Sequence, residues 1–434
     1  MSLTARDLGL FAIMFAVLAM VAMFQSPQLA VTILNMSLIS AIMALGVNMQ
    51  WGYAGLFNVG IMGFTAIGGL AVVLIAQPPI PEAWAAGGLG ILLGLMLGVA
   101  TILAAVIVYK RMAPSKMRGL TIFAVLVVGY LVTSYVFGPA KQAVQAVNPA
   151  SEGYLGGAGL PVILAWPVGA VFAAGVAWLV GKVSLGLRSD YLAIATLGIS
   201  EIVIAVLKHE RWLARGVNNV TGIERPVARP IELQPLPWVQ SLAETLGWSV
   251  SQTASVVSGL GYSALFLIVL AILIWLAERA LNSPWGRMMR AIRDNEISAR
   301  AMGKDVTRRH LMIFVLGSAV CGLAGAMMVS MDGQLTPGSY EPLRFTFLIW
   351  VMVIVGGSGN NWGAVLGAFV IWFLWVQVEP AGRWFMEIVT SGMADGSDLK
   401  QHLLGSAAYM RLLTMGIALL LMLRFAPRGL IPER

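Results

Sequence analysis

Residues that could carry out chemistry are few in this chain, because only 11% of its 434 residues are charged and 59% are hydrophobic. The three histidines, His209, His310 and His402, lie far apart, and the single cysteine, Cys321, lies in an apolar run. Such scattered groups offer little from which to build a metal centre or a nucleophile–base triad. One cysteine also allows no intramolecular disulfide, so we interpret Cys321 as a small packing residue.

The sequence also lacks a phosphate-binding loop. Gly303-Lys304 resembles the end of the G-x-x-x-x-G-K-[ST] motif, but Ser298 replaces its first glycine and Asp305 replaces its last hydroxyl residue. The chain is therefore not expected to bind ATP through such a loop. We expect no catalytic residues, no metal ion and no cofactor, and hence a protein that is not an enzyme.

Two charged residues lie inside apolar runs, Glu201 and Arg411, and Glu278 and Arg279 lie close to the end of another run. An ionisable group within a membrane is costly, and for that reason it is often functional. Glu201 is a candidate residue of the path along which a molecule is transported. The alternative is that a nearby serine, a water molecule or an interfacial position satisfies its charge. Arg411 is expected to snorkel or to form a structural pair.

Two glycine-rich segments interrupt apolar runs, GYAGLFNVG at 52–60 and GGSGNNWG at 356–363. Paired interruptions in the two halves of a transporter often mark its binding site, because unwound helix ends offer free backbone groups. We predict a polar break at Asn58 and a translocation path that includes Gly52, Gly55, Gly60, Gly356 and Gly357. The alternatives are close helix packing for the first segment and a tight turn for the second.

A polytopic membrane bundle must position these groups. An average soluble domain has roughly 25% charged residues, more than twice the fraction in this chain, and a membrane crossing needs about 20 mostly apolar residues. We predict an all-α bundle of about 10–12 membrane helices in one membrane domain, residues 1–434. The candidate runs are 8–24, 29–47, 53–76, 87–109, 118–137, 161–181, 187–207, 260–281, 309–331, 343–357, 361–378 and 408–425.

The orientation is predicted from residues 283–310, which hold seven basic residues and three acids between two apolar runs. Short basic loops stay in the cytoplasm, and an even number of crossings then places both termini on that side. The net charge of +8 is concentrated in such loops, so we expect contact with the lipid bilayer and no nucleic-acid binding. Residues 208–259 form the predicted outer loop between N-terminal helices in 8–207 and C-terminal helices in 260–425. Trp212, Trp238 and Trp248 in this loop are expected at the headgroup level.

Residues 283–310 also have an amphipathic helical pattern, because their apolar residues recur at steps of three and four with charges between them. Ser283-Pro284 suits the start of a helix, and Gly303 is the expected break. The apolar positions that could pack on another surface are Met288, Met289, Ile292, Ala299, Met302 and Val306.

Four separated segments carry a family resemblance: 52–69 (GYAGLFNVGIMGFTAIGG), 187–202 (LRSDYLAIATLGISEI), 286–326 (GRMMRAIRDNEISARAMGKDVTRRHLMIFVLGSAVCGLAGA) and 353–368 (VIVGGSGNNWGAVLGA). Together, and in this order, they resemble the LivM-type permeases of branched-chain amino-acid ABC transporters. The resemblance covers most of the chain from about residue 30 onward.

The resemblance implies a permease subunit in a bacterial inner membrane that imports branched-chain or other hydrophobic amino acids. Its implied partners are a second homologous permease, two cytoplasmic ATPase subunits that hydrolyse ATP, and a periplasmic substrate-binding protein. The stretch around 294–303 then corresponds to the coupling helix that docks on an ATPase, with Met288, Ile292 and Met302 as its apolar contacts. The residues assigned to coupling are Arg287, Met288, Arg290, Ile292, Arg293, Asp294, Glu296, Ala299, Met302 and Gly303.

Three alternatives stay open. The basic helix could lie on anionic lipid rather than on an ATPase. The chain could be a secondary transporter that works alone, although few membrane acids are present to couple protons. The transported molecule could be urea or a short amide, because residues 218–223 (NNVTGI) match only loosely the glycine-rich block of the family and relatives with similar blocks import such compounds.

Overall fold

The computed structural model describes residues 4–393 and 397–433, which form an almost entirely helical bundle. Ten helices in these residues are long and apolar enough to cross a membrane, and two shorter apolar helices accompany them. The predicted all-α, polytopic membrane bundle of about 10–12 helices is therefore confirmed. The chain is a multi-pass membrane protein.

In chain order the helices are α1 (Ala5–Phe24), α2 (Pro27–Gly52), α3 (Ile61–Ala76), α4 (Pro81–Arg111), α5 (Lys116–Ala146), α6 (Val162–Ser184), α7 (Ser189–His209), α8 (Pro237–Leu246), α9 (Val250–Asn282), α10 (Pro284–Asp294), α11 (Glu296–Ala301), α12 (Val306–Asp332), α13 (Pro342–Gly356), α14 (Asn361–Val389) and α15 (Asp398–Phe425). Short helices also occur at Arg211–Ala214 and Pro230–Leu233, and strands β1 (Val220–Thr221) and β2 (Gln334–Leu335) pair antiparallel.

The bundle has two ends, and we call the end that carries α10 and α11 the basic end. Both described termini lie there. Phe11 of α1 stacks edge-on against Trp362 at the start of α14, with ring centroids 6.1 Å apart. Glu433 near the C-terminus accepts a 2.8 Å hydrogen bond from Arg293 of α10. The chain therefore passes between the two ends an even number of times, as predicted.

Helix α12 lies at the centre of the bundle and packs through small residues. A Cβ atom on Gly46 of α2 would lie 2.6 Å from the carbonyl oxygen of Gly317, and one on Gly169 of α6 would lie 3.2 Å from Ala326. Such close approach is typical of membrane helices, where dispersion and weak backbone contacts replace the hydrophobic effect as the driving force. Cys321 is buried in this core, as expected for a packing residue.

Helices α4 and α5 form a peripheral hairpin. Almost none of their residues is buried, and they pack mainly on each other, for example where a Cβ on Gly94 would lie 2.7 Å from Phe137. Phe137 also contacts Trp212, with ring centroids 5.6 Å apart, and the Trp212 indole donates a 2.7 Å hydrogen bond to Glu210. Trp212 is therefore buried between elements of the protein, and its position at the headgroup level stays a prediction.

The helix bounds differ from the predicted runs at three places. The apolar run at 53–76 is interrupted and its long helix begins only at Ile61, because residues 55–60 form an irregular turn. Helix α9 already begins at Val250, inside the predicted outer loop 208–259. The amphipathic stretch is two helices instead of one, because Asn295 leaves helical geometry at φ −156° and caps α11 through its side chain. Gly303 is a break as predicted, at φ +77°.

Candidate functional site: a polar junction at the basic end

The first glycine-rich segment forms a buried turn between α2 and α3. The Asn58 side chain is buried; its oxygen accepts a 2.8 Å hydrogen bond from the Gly60 amide, and its nitrogen donates at 2.9 Å to Gln50. Gln50 in turn donates to the Phe314 carbonyl at 2.8 Å. Irregular backbone is tolerated at this depth because its polar groups are satisfied within the protein. The predicted polar break at Asn58 is present.

The second glycine-rich segment is a tight turn between α13 and α14. Gly357 has φ +118°, which only glycine adopts easily. The Asn360 side chain caps α14 and accepts hydrogen bonds from the amides of Trp362 at 3.0 Å and Gly363 at 3.3 Å. Gly356 touches the Gly363 carbonyl oxygen so closely that a Cβ at Gly356 would overlap it. These glycines therefore allow two helices to approach at a turn, the alternative left open for this segment.

The two turns meet in a network that we call the polar junction: Asn48, Tyr53, Glu278, Gly359 and Asn361. The Asn48 oxygen accepts a 2.8 Å hydrogen bond from the Gly359 amide, and its nitrogen donates to Asn361 at 3.2 Å. The Tyr53 hydroxyl donates to the same Asn361 oxygen at 2.8 Å. Asn361 donates to Glu278 at 3.0 Å. Five elements of the bundle are thus joined through polar contacts.

Burial, assisted by the nearby Glu278 carboxylate, raises the pKa of Tyr53 above its ordinary value. The Tyr53 hydroxyl therefore remains a hydrogen-bond donor at physiological pH. Gly52 also belongs to this contact, because a Cβ there would lie 2.6 Å from the Gly359 nitrogen. Gly52 of the first segment thus packs against Gly359 of the second beside the polar network, whereas Gly60 lies against Thr196 of α7.

The amphipathic helix α10 reaches the polar junction through Arg293. Its guanidinium donates hydrogen bonds to the Gly52 carbonyl and, at 2.8 Å, to Glu433. Burial opposes the charge on Arg293, but the hydrogen bond and attraction to Glu433 outweigh it, so the pKa of Arg293 is raised. Gly55, at φ +68°, would place a Cβ 3.4 Å from the Arg293 side chain. Arg293 is therefore an internal link.

Residues 426–433 form a C-terminal strap over the second turn. The amides of Leu430 and Ile431 donate to the carbonyls of Val355 and Gly356, both at 2.9 Å. The Asn360 side chain donates to the Pro432 carbonyl at 3.1 Å. The strap brings Glu433 beside Arg293, so α10, the first turn and the second turn are connected at one place.

A separate feature, the central cavity, lies towards the end opposite the basic end. It has a volume of about 210 Å³ and lies between α2, α3, α12, α13 and α14. Most residues that line it are apolar. The polar residues in its lining include Ser40, Thr65, Asp332, Ser339 and Tyr340. None of the glycines predicted for a translocation path is among its lining residues. Sequence reasoning missed it, because its walls are ordinary apolar helix positions drawn from distant parts of the chain.

Comparison with known proteins decides the family. The family described as "Branched-chain amino acid transport system / permease component" matches residues 29–154 and 125–423. The chain belongs to this permease family. In the described residues no group of three or more His, Cys, Asp or Glu side chains could hold a metal ion.

Individual relatives of the permease differ in how much of it they match. A probable branched-chain amino acid transport permease, LivM of Methanocaldococcus jannaschii, is 26% identical over 91% of this chain and 90% of its own length. The high-affinity branched-chain amino acid permease LivM of Escherichia coli is 30% identical over 47% of this chain. The matched part spans 48% of that relative's length. The fructose import permease FrcC of Rhizobium meliloti is 27% identical over 25% of the chain. No solved structure matches the chain.

The amphipathic helices of the permease divide their apolar residues between two surfaces. Met289, Ile292 and Ala299 are buried against the permease itself. Ile297 and Met302 point outward and are 81% and 79% exposed. The expectation that Ile292 is an apolar contact for a partner is therefore wrong, because it packs in its own bundle. Ile297, which the sequence pattern did not single out, is the exposed isoleucine of this stretch.

The remaining residues assigned to coupling lie at different depths. Arg287, Asp294, Glu296 and Gly303 are exposed, and Arg290 and Met288 are partly buried. Arg293 points into the bundle, because its partners are Gly52 and Glu433.

Glu201 stands apart from both glycine-rich turns of the permease. It is exposed on α7, the helix whose Thr196 carbonyl oxygen approaches Gly60. The structure does not bring Glu201 together with the glycines with which it was grouped. Arg411, in contrast, forms a structural ion pair with Glu379 and lies over the Trp375 ring at 5.5 Å, as predicted.

Proposed function

We propose that this chain is a membrane-spanning permease subunit of an ATP-driven importer for branched-chain and other hydrophobic amino acids. The observation that carries the proposal is the family match over residues 29–423, together with a relative aligned over nine-tenths of both lengths. Its partners are a second homologous permease, two ATPase subunits and a substrate-binding protein. ATP hydrolysis takes place on the ATPases, consistent with the incomplete motif at Gly303-Lys304.

The proposed location is the bacterial inner membrane with the basic end in the cytoplasm. This one end holds the first and last described residues, the basic residues of 283–310 and the C-terminal strap. The positive-inside rule favours the cytoplasm for such a cluster. The substrate-binding protein then meets the opposite, periplasmic end, where residues 210–249 and the β1–β2 pair lie.

Coupling is proposed to use the outward surface of α11 and the inward link of Arg293. Ile297 and Met302 supply an exposed apolar contact for an ATPase subunit, and exposed charges such as Glu296 orient it more than they bind it. Motion of the ATPases then reaches the two turns through Arg293 and the strap. A coupling element must make different contacts in two states, and the polar junction offers hydrogen bonds that can exchange.

The competing function for the basic helices is binding to anionic lipid. Reconstituted transporter with Ile297→Asp and Met302→Asp distinguishes the two. Docking on an ATPase predicts loss of the ATPase stimulation that loaded binding protein produces. The matched control is Met117→Asp, which changes a methionine that is 63% exposed at the start of the peripheral helix α5. Stimulation that survives in the α11 variant contradicts docking.

The whole proposal is tested by expressing the chain with its neighbouring transport genes and purifying it through a tag. A second permease and two ATPases should copurify, and vesicles should take up leucine only with ATP and the binding protein. Uptake by this chain alone, driven by an ion gradient, would instead establish a secondary transporter. A binding assay with the cognate binding protein, using leucine and urea, decides the substrate class.

A further inference from the structure

The central cavity carries chemistry that the family match does not assign. Its volume of about 210 Å³ exceeds that of an engineered protein cavity of roughly 150 Å³ that holds benzene, so the cavity has room for a small amino acid. Five methionines line it, Met36, Met43, Met62, Met328 and Met352. Methionine is flexible and polarisable, and it adapts to apolar groups of several shapes. The walls therefore suit a family of aliphatic side chains.

The mouth of the cavity presents both signs of charge. Asp332 lines the cavity and is exposed at the end of α12. Arg225, from the outer segment, donates a 2.9 Å hydrogen bond to the Asp332 carbonyl and lies against Gly333. The Ile223 amide donates to the Gly333 carbonyl at 3.1 Å, beside the β1–β2 pair. Backbone pairing thus holds the guanidinium next to the carboxylate.

Two polar groups in the wall have no hydrogen-bond partner among the described residues. They are the Tyr340 hydroxyl and the Trp372 indole N–H, and both residues line the cavity. Burial, with a smaller effect of Asp332, raises the pKa of Tyr340, so its hydroxyl stays a donor. Both atoms are enclosed by protein, and the Tyr340 hydroxyl lies against Gly69 of α3. A carboxylate is therefore bound at the mouth of the cavity, where Arg225 lies beside Asp332.

We infer that the central cavity is an occlusion site for a zwitterionic aliphatic amino acid. The ammonium group binds Asp332, the carboxylate lies at the mouth beside Arg225, and the side chain packs among the methionines. This assignment rests on the proposed import function for the substrate class, and it places the substrate within one subunit, away from the polar junction.

A labelling experiment tests occupancy directly. In the complete transporter, Ser339→Cys puts a thiol at the mouth, where Ser339 is exposed. The native Cys321 is buried, and the unsubstituted transporter measures its background with a charged methanethiosulfonate reagent. Leucine should slow labelling of the new thiol by about tenfold at ten times its dissociation constant. Urea, isoamylamine and isocaproate lack one or both charges of leucine, so they should protect the new thiol from labelling only weakly. No protection by leucine, or equal protection by urea, overturns the inference.

Transport kinetics provide the second measurement. Asp332→Asn removes the ammonium partner and should raise the KM for leucine uptake by about tenfold, the loss of roughly one charge-assisted contact. Glu82→Gln is the matched control, because Glu82 is an exposed acid at the start of the peripheral helix α4 and does not line the cavity; its KM should stay unchanged. If the native transporter takes up leucine while Asp332→Asn keeps its KM, the site is wrong and the function stands. If the native transporter fails to take up leucine, the function is wrong, and the labelling assay still reports on the cavity.

Discussion

Arg293→Ala should weaken the attachment of α10 to the rest of the bundle. Arg293 and Glu433 are 25% and 27% exposed in their side chains, and their nitrogen and oxygen atoms lie 2.8 Å apart. Hydrogen bonds to charged groups contribute about 1.5–3 kcal/mol when buried, and partial solvent screening reduces each to about 1 kcal/mol here. With the second bond, to the Gly52 carbonyl, the substitution should cost about 2 kcal/mol of unfolding free energy.

A double-mutant cycle isolates the pair. Glu433→Gln keeps a side chain that can accept from Arg293 but removes its charge, and it should cost about 1 kcal/mol. Because both substitutions affect one contact, their effects should fall short of additivity by about 1 kcal/mol. Unfolding titrations in mixed micelles measure the free energies, and leucine transported per ATP hydrolysed measures coupling. Coupling should drop in both single variants.

Arg308→Ala is the control, because Arg308 is an exposed arginine at the basic end that is not among the residues assigned to coupling. Exposed substitutions usually change stability by less than about 0.5 kcal/mol. The argument is refuted if the Arg293 and Glu433 effects are simply additive, or if Arg308→Ala lowers coupling as much as Arg293→Ala.

Three further predictions concern packing, a buried hydrogen bond and pH. Gly325→Ala places a Cβ against backbone of α3 and should destabilise by about 1–3 kcal/mol, whereas Gly175→Ala, with open space around it, should be neutral or stabilising in thermal unfolding. Trp350→Phe removes the 3.1 Å bond to the Asn58 carbonyl and should cost about 1 kcal/mol in the same assay, and an unchanged midpoint contradicts this. Because burial raises the pKa of Tyr53, its contribution is complete below the ordinary value of about 10 and is lost as pH rises further. Native protein should therefore lose stability above about pH 10 more steeply than Tyr53→Phe, as unfolding midpoints between pH 8 and 11 would show; parallel curves contradict the assignment.

Much of the fold could be predicted because membrane crossing depends on local composition. Long apolar runs between polar segments specify the helices, since backbone polar groups in lipid must be satisfied within each helix. The break at Gly303 and the proline start of α10 follow from the local conformational preferences of these two residue types. The boundary at Ile61 could not be obtained this way, because residues 53–60 are as apolar as a helix and their irregular path depends on Gln50 and Asn58 bonding across the turn.

The candidate sites, unlike the helices, depend on contacts between distant parts of the chain. The sequence alone pointed to the two glycine-rich segments and the amphipathic stretch, because glycine content and helical periodicity are local properties. Only the tertiary structure joined them, through contacts such as Asn48 with Gly359 and Arg293 with Glu433, which are separated by more than a hundred residues. It also decided that Ile292 faces inward and Ile297 outward, because the chain bends at Asn295. The central cavity has no local signature at all, since a void is created only where five helices from distant parts of the chain pack together.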